Sequence, residues 1–297
     1  MKHMLSHALI CGTLLAVTAT TQGSADVPCR QVIGSICAGG SEIELDDAIA
    51  RLRAADVVVL GEKHDNPAHH EWQARLIADI KPEGLALEMV PRTKENAANQ
   101  ARAHGTDLEH ALDWANSGWP AWTMYAPLFD AAPQATIAGG GIARDTLRAS
   151  VGAGAASAFD PGPLRDQLET PLPEDMQAAM ETEQAVAHCG ALPDVMLPGM
   201  VEAQRLRDAA FADAALRLLD QGKSPVVLIV GNGHARTDRG SPLYLSRAAP
   251  EISVVSVGIL EAGNFPEGVP FDISIFAPKH DRGDPCAAFL KSREKSD

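Results

Sequence analysis

The sequence predicts an α/β fold, a mainly parallel sheet with helices on both faces and a smaller helical lobe. Three observations carry that prediction. Short apolar runs rich in β-branched residues recur along the chain, helical patterns separate most of them, and two of the runs end in the same phrase, Gly-x-x-His. The stretches 57–60 and 226–230 are apolar without alternation, as strands buried on both faces are. Strands that alternate with helices argue for parallel pairing, because each crossover needs a helix lying on a face of the sheet.

Strands are expected at 56–60, 84–88, 135–139, 225–230, 252–258 and 271–276. The helix at 67–80 has a clear start, since Asn66 can cap it and Pro67 suits the first helical position; Trp72, Leu76 and Ile80 then share one face. Further helical patterns cover 173–188 and 194–220, the latter Ala-rich from Val201. No strand pattern occurs between about 144 and 222, so this stretch reads as a helical lobe on the sheet, entered through the Pro-, Gly- and Ala-rich connector 152–163.

Residues 1–25 read as an export signal. Lys2 and His3 precede an apolar stretch, 8–17, too short to span a bilayer, and Gly23-Ser24-Ala25 offers a cleavage site. Neither Cys11 nor Cys29 follows the small-residue pattern of a lipid-modified cysteine. The mature chain, 26–297, then reads as a single domain in the periplasm or secreted, with no stable membrane span. Four cysteines remain in it, Cys29, Cys37, Cys189 and Cys286, and an oxidising compartment favours disulfides, with three connectivities open. The balance of 25 basic against 39 acidic residues, net charge -14, argues against nucleic acid as a partner.

The carboxyl edge of a parallel sheet is where ligands bind. Glu62 and His64 follow the first strand, Glu88 closes the second, the triple glycine 139–141 with Arg144 beyond it follows the third, and His234 follows the fourth. The helix starting at Pro67 turns its positive end toward the first loop, which favours an ionised Glu62 and a neutral His64. His69 reads as a packing residue and His70 as solvated. The triple glycine offers an anion nest but lacks the spacing of a dinucleotide fingerprint, and neither a nucleophile elbow nor a P-loop occurs. Carboxylate and imidazole pairs are costly to bury unless used or well partnered, so the joint placement of Glu62, His64, Glu88 and His234 favours a site.

Val57-Val-Val-Leu-Gly61-Glu62-Lys-His64-Asp65-Asn66-Pro-Ala-His69-His70, then Leu87-Glu88-Met89, then Gly231-Asn232-Gly233-His234-Ala-Arg236 and Gly240-Ser-Pro242 resemble the ChaN-like haem-binding proteins. The segment from Met200 through Gln204 to Asp208 resembles that family's Gln-and-Asp helix. The resemblance implies an α/β fold and haem binding in iron uptake, with His64, Tyr125, Arg144, His234 and Tyr244 as candidate contacts to the cofactor and a homodimer as a compatible assembly. It also implies a wider superfamily of erythromycin esterase-like hydrolases and Tiki metalloproteases. The rival expectation is therefore a hydrolase in which Glu62, His64, Glu88 and His234 are catalytic, or in which His64, Glu88 and His234 hold a divalent metal ion.

Overall fold

The computed structural model of the chain describes residues 27–263, 270–284 and 286–287. The export signal expected at 1–25 lies outside the described residues. Eight strands form one sheet: β1 (Ile36–Ala38), β2 (Ser41–Glu42), β3 (Val57–Glu62), β4 (Gly84–Pro91), β5 (Thr136–Gly141), β6 (Val226–Gly231), β7 (Val254–Glu261) and β8 (Ile273–Ala277). Their spatial order is β2-β1-β8-β7-β3-β6-β4-β5. β8, β7, β3, β6, β4 and β5 pair in parallel, and at one edge β1 pairs antiparallel with both β8 and β2. The sheet is thus mainly parallel, as its apolar strands require.

The central strands explain why. Val58 and Leu60 of β3 and Val227 and Ile229 of β6 enter one apolar core, while Val57 and Val59, and Val226, Leu228 and Val230, enter another on the opposite face. Each of these side chains is fully buried, and burying one contributes about 1.5–3 kcal/mol relative to leaving it in water. The first core is covered by α1 (Leu45–Arg53), α2 (Pro67–Ile80), α3 (Glu95–His104) and α5 (Trp122–Ala131), with the short α4 (Leu108–Leu112) beside them. The second is covered by α7 (Pro163–Glu169), α9 (Leu197–Asp220) and α10 (Ser241–Ala248); α6 (Arg144–Ala153) and α8 (Glu174–Ala187) pack on α9. The stretch 144–222 is helical, and α9 lies directly against β4, β5 and β6 through Leu206, Phe211 and Leu218.

The β1–β2 hairpin was not expected from the sequence. Its strands are only three and two residues long, too short for an alternating pattern to show. Gly39 and Gly40 make the turn, both with positive φ (57° and 84°), a conformation other residues rarely adopt. Cys29 and Cys37 form a disulfide that ties the preceding segment to β1. A second disulfide joins Cys189, just beyond α8, to Cys286 in the C-terminal segment. Non-reducing peptide mapping should therefore link the Cys29 peptide to that of Cys37, and the Cys189 peptide to that of Cys286. A Cys37–Cys189 link, or four free thiols, would contradict this pairing.

No helix among the described residues is long and apolar enough to cross a membrane.

Candidate functional site at the carboxyl edge of the sheet

β3, β6, β4 and β5 are neighbours, so the loops at their carboxyl ends meet although they are far apart in sequence. Glu62 is the last residue of β3 and 2% exposed. Its Oε1 accepts a hydrogen bond from His64 Nδ1 at 2.7 Å and another from the Tyr125 hydroxyl at 2.9 Å. His70 Nδ1 lies 3.1 Å from the other carboxylate oxygen, out of line for a hydrogen bond, while its Nε2 donates to the His64 carbonyl at 3.0 Å. Burial alone would raise the Glu62 carboxyl, but His64 and His70 outweigh it and hold the group at about 2. Glu62 is therefore ionised, as expected from the helix end facing it.

His64 behaves otherwise than the helix end suggests. Burial favours its neutral form, yet the bond to Glu62 and the charges of Glu88, Glu62 and Asp65 raise it above the ordinary histidine value. Adjacent carboxylates at bonding distance outweigh a helix terminus, whose effect is small and fades within one turn. His70 is likewise a correction to the sequence reading: at 2% exposed it is buried, packed edge-on against the Tyr125 ring with centroids 4.4 Å apart. His69 is fully buried; burial lowers it to about 4, and its Nδ1 accepts from the Lys63 amide.

Glu88, in β4, continues the row. Its Oε2 accepts from the Gly231 amide at 2.8 Å and stands 3.9 Å from His64 Nε2, while its Oε1 stands 3.8 Å from His234 Nε2. A Cβ at Gly231 would sit 3.0 Å from His64 Nε2, so the glycine leaves room for that ring beside Glu88. His234 Nδ1 bonds Asp208 of α9 at 2.7 Å, and the Gln204 amide lies 3.1 Å from the same nitrogen. Burial opposes a charged His234, but Asp208 and then Glu88 raise it; burial pushes Asp208 up to about 6, against the pull of His234. The result is a line of alternating groups, Glu62–His64–Glu88–His234–Asp208.

Asp208 and His70 were absent from the site set read from the sequence. Gln204 and Asp208 stand four residues apart and so on one helix face, a signal visible in the Met200–Asp208 segment. That this face meets His234 depends on how α9 crosses the sheet. For His70 there was no local signal, since its neighbour His69 already occupied the inward-facing position.

The three donors proposed for a divalent metal, His64, Glu88 and His234, lie in a row with the carboxylate between the imidazoles. Among the described residues no group of three or more His, Cys, Asp or Glu side chains is disposed to hold a metal ion. The triple glycine continues β5 with no positive φ, so it lacks the αR–αL turn of an anion nest, and its role is in packing. A Cβ on Gly139 would strike the Val90 carbonyl, one on Gly140 would lie 2.7 Å from Phe211, and one on Gly141 2.8 Å from the Glu88 carbonyl. These glycines let β5 and α9 approach the end of β4.

Of the two tyrosines, Tyr125 is fully buried, and burial and then Glu62 raise its hydroxyl, keeping it a neutral donor. Tyr244 is also buried; burial and then the Asp208 charge raise its hydroxyl to about 12, against the pull of Arg205. Arg144 is exposed, at the first position of α6. It lines a cleft of about 600 Å³ that opens beside Glu88, with apolar walls from Met89, Leu112, Trp119, Ile142, Leu147 and Phe211. Trp119 packs edge-on against the His64 ring, centroids 4.9 Å apart, so the cleft borders His64, whose side chain is 35% exposed.

The loop that carries His64 is pinned from the other side. Arg282 bonds Asp65 at 2.7 Å and also pairs with Glu261, whose Oε1 accepts from Asn66 at 3.0 Å. Asn66 caps α2 through Ala68 and donates to the Pro278 carbonyl.

A family model described as haem-binding uptake, Tiki superfamily, ChaN matches residues 48–245. Among solved structures, the chain is similar to ChaN of Campylobacter jejuni, described as showing cofacial heme binding. The two are 21% identical with a TM-score of 0.66, covering 81% of this chain and 95% of that one. At that identity the likeness speaks for the fold. Weaker similarities are to the type III effector HopBA1 (13% identity, 79% and 93% covered, TM-score 0.46) and to the erythromycin esterase EreC in its open conformation (12% identity, 83% and 82% covered, TM-score 0.39). No curated protein matches the chain.

Proposed function

The chain belongs to the ChaN family of haem-binding uptake proteins in the Tiki superfamily, and we propose that it binds haem in the cleft beside His64. The observation that carries this reading is the chemistry of the cleft. Haem brings two apolar faces, an iron that accepts an imidazole, and two carboxylates. The cleft has apolar walls, basic side chains at Arg144 and Lys94, and an imidazole at its border. His64 Nδ1 is held by Glu62, which leaves Nε2 as the free nitrogen, and the nearest carboxylate oxygen to it is beyond hydrogen-bond reach at 3.9 Å. Imidazoles that ligate iron or zinc are commonly oriented in this way, by a carboxylate on the other ring nitrogen.

His64 is accordingly the proposed iron ligand, Glu62 its orienting partner, and Tyr125 and His70 positioning residues acting through Glu62. Tyr125 and Tyr244 take no part in ligation in this reading, because both are buried with their hydroxyls among other partners. Arg144 is proposed to meet a haem carboxylate, and His234 to stay in the Asp208–Glu88 row. Two disulfides support a mature chain, 26–297, that works outside the cytoplasm, where haem uptake or handling would place it.

Haemin added to the purified full chain should give a saturable Soret shift approaching equimolar uptake. No Soret change at micromolar haemin would discard the reading.

One observation favours a second reading, hydrolysis. A row of three buried carboxylates and two imidazoles is more than an iron ligand needs, and perturbed titrating groups cluster at catalytic sites. In that reading His64, oriented by Glu62, takes a proton from water, while Glu88 and His234 complete the set. Turnover of generic ester or peptide substrates by the parent protein, lost in His234→Ala with the fold intact, would support it.

A further inference from the structure

α9 carries three arginines. Arg205 is paired with Glu202 at 2.7 Å, and Arg217 with Glu95 at 2.7 Å and Asp213 at 2.8 Å. Arg207 differs from both. It is half-buried in the wall of the cleft, and no hydrogen bond or salt bridge joins it to any described residue. Its charge instead acts on His234, which it pushes toward the neutral form. In a chain with 39 acidic against 25 basic residues, carboxylate partners are plentiful, and holding a guanidinium half out of water without one is unfavourable. Arg144, which lines the same cleft, is also without an ion pair, whereas Lys94 stands 3.9 Å from Asp113. The carboxylates lining the cleft, Glu88 and Asp113, are thus engaged elsewhere, Glu88 by the Gly231 amide.

We propose that Arg207 and Arg144 form a carboxylate subsite in the cleft, and that Arg207 determines specificity for ligands carrying two carboxylates beside an apolar ring system. The guanidinium suits this role because its fixed fork can meet a carboxylate through two parallel hydrogen bonds. The apolar walls receive the ring, and the two arginines receive its charged edge. The inference rests on the haem reading and deepens it, since it states which part of haem the chain recognises apart from the iron.

The test is an absorbance titration of the full chain with haemin and with haemin dimethyl ester, which keeps the iron and the ring but removes both negative charges. The diester is expected to bind about 10- to 100-fold more weakly, the range set by one charge-assisted hydrogen bond. Arg207→Gln should weaken haemin binding by a similar factor, and the two changes together should cost little more than either alone. Thermal melting of Arg207→Gln should match the parent, because the side chain has no partner to lose. Equal affinities for haemin and diester in the parent would overturn the subsite while leaving haem binding intact. An Arg207→Gln variant that still discriminates the two ligands fully would place the recognition elsewhere and overturn the role of Arg207. A parent that binds neither ligand would overturn both this inference and the haem reading.

Discussion

Glu62→Ala is expected to destabilise the folded chain by roughly 3–5 kcal/mol, the range for removing one partner from a buried charged cluster. The carboxylate is the acceptor for His64 and Tyr125 and the nearest counter-charge to His70. Without it, two imidazoles raised toward their charged forms and a buried hydroxyl lose their common partner. Glu62→Gln keeps the volume and one acceptor and should cost less, and Tyr125→Phe, which removes a single hydrogen bond, about 1 kcal/mol. Urea denaturation of the three variants checks this ordering. A Glu62→Ala variant within 1 kcal/mol of the parent, as an order of magnitude, would mean the cluster is not the buried hub described.

The same cluster predicts how stability follows pH. Folded Glu62 titrates at about 2 against an ordinary value of 4.5, so its contribution is complete above about pH 4.5 and is lost as pH falls toward 2. His64 and His70 are raised above 6.5. Their contribution is complete below about pH 6.5 and is lost as pH climbs through their folded values. The parent should therefore be most stable between these limits, and Glu62→Ala should flatten both slopes without abolishing them, because Glu261, held at about 2, and His234, raised by Asp208, titrate independently of Glu62.

The second large effect concerns the ligand. His64→Ala should shift the Soret band of the haem complex and weaken haemin binding by at least about 100-fold, the upper end of what losing even an outer-shell partner costs a metal site. The parent and Tyr244→Phe should share one spectrum, because Tyr244 is buried away from the cleft lining. Tyr125→Phe should alter affinity only modestly, through the set of Glu62. If His64→Ala keeps the parent spectrum while a tyrosine variant changes it, the iron ligand is the tyrosine. Melting curves on the same samples separate lost ligation from lost folding, since Glu62 keeps Tyr125 and His70 when His64 is removed.

Much of this architecture was legible from local patterns. The β-branched runs that became β3 and β6 were unambiguous because strands buried on both faces admit no polar residue between their ends. The start of α2 was legible for a different reason: Asn66 and Pro67 are chemically suited to adjacent positions at a helix terminus, and Asn66 does accept from the Ala68 amide. Glu62, His64, Glu88 and His234 were legible as a set because each stands at or close to the carboxyl end of an apolar strand run. The β1–β2 hairpin escaped since five strand residues are too few to show a period.

The electrostatic state of the site was not legible in the same way. A helix end facing His64 suggested a neutral ring, but the deciding charges belong to Glu62 at bonding distance and to Glu88 on another strand. His70 reads as solvated beside an inward-facing His69, but α5 packs on α2 and lays Tyr125 against it.

The sequence by itself determined which residues stand at the carboxyl ends of the strands, because the strand period and the glycine turns are encoded within a few neighbouring positions. Only the tertiary structure decided that Glu88 lies between the two histidines, that α9 delivers Asp208 to His234, and that Arg207 faces a cleft without a partner. Those facts follow from the strand order β3-β6-β4-β5 and from the path of α9 across the sheet. Both are set by how two whole apolar faces pack, which no short stretch of sequence contains.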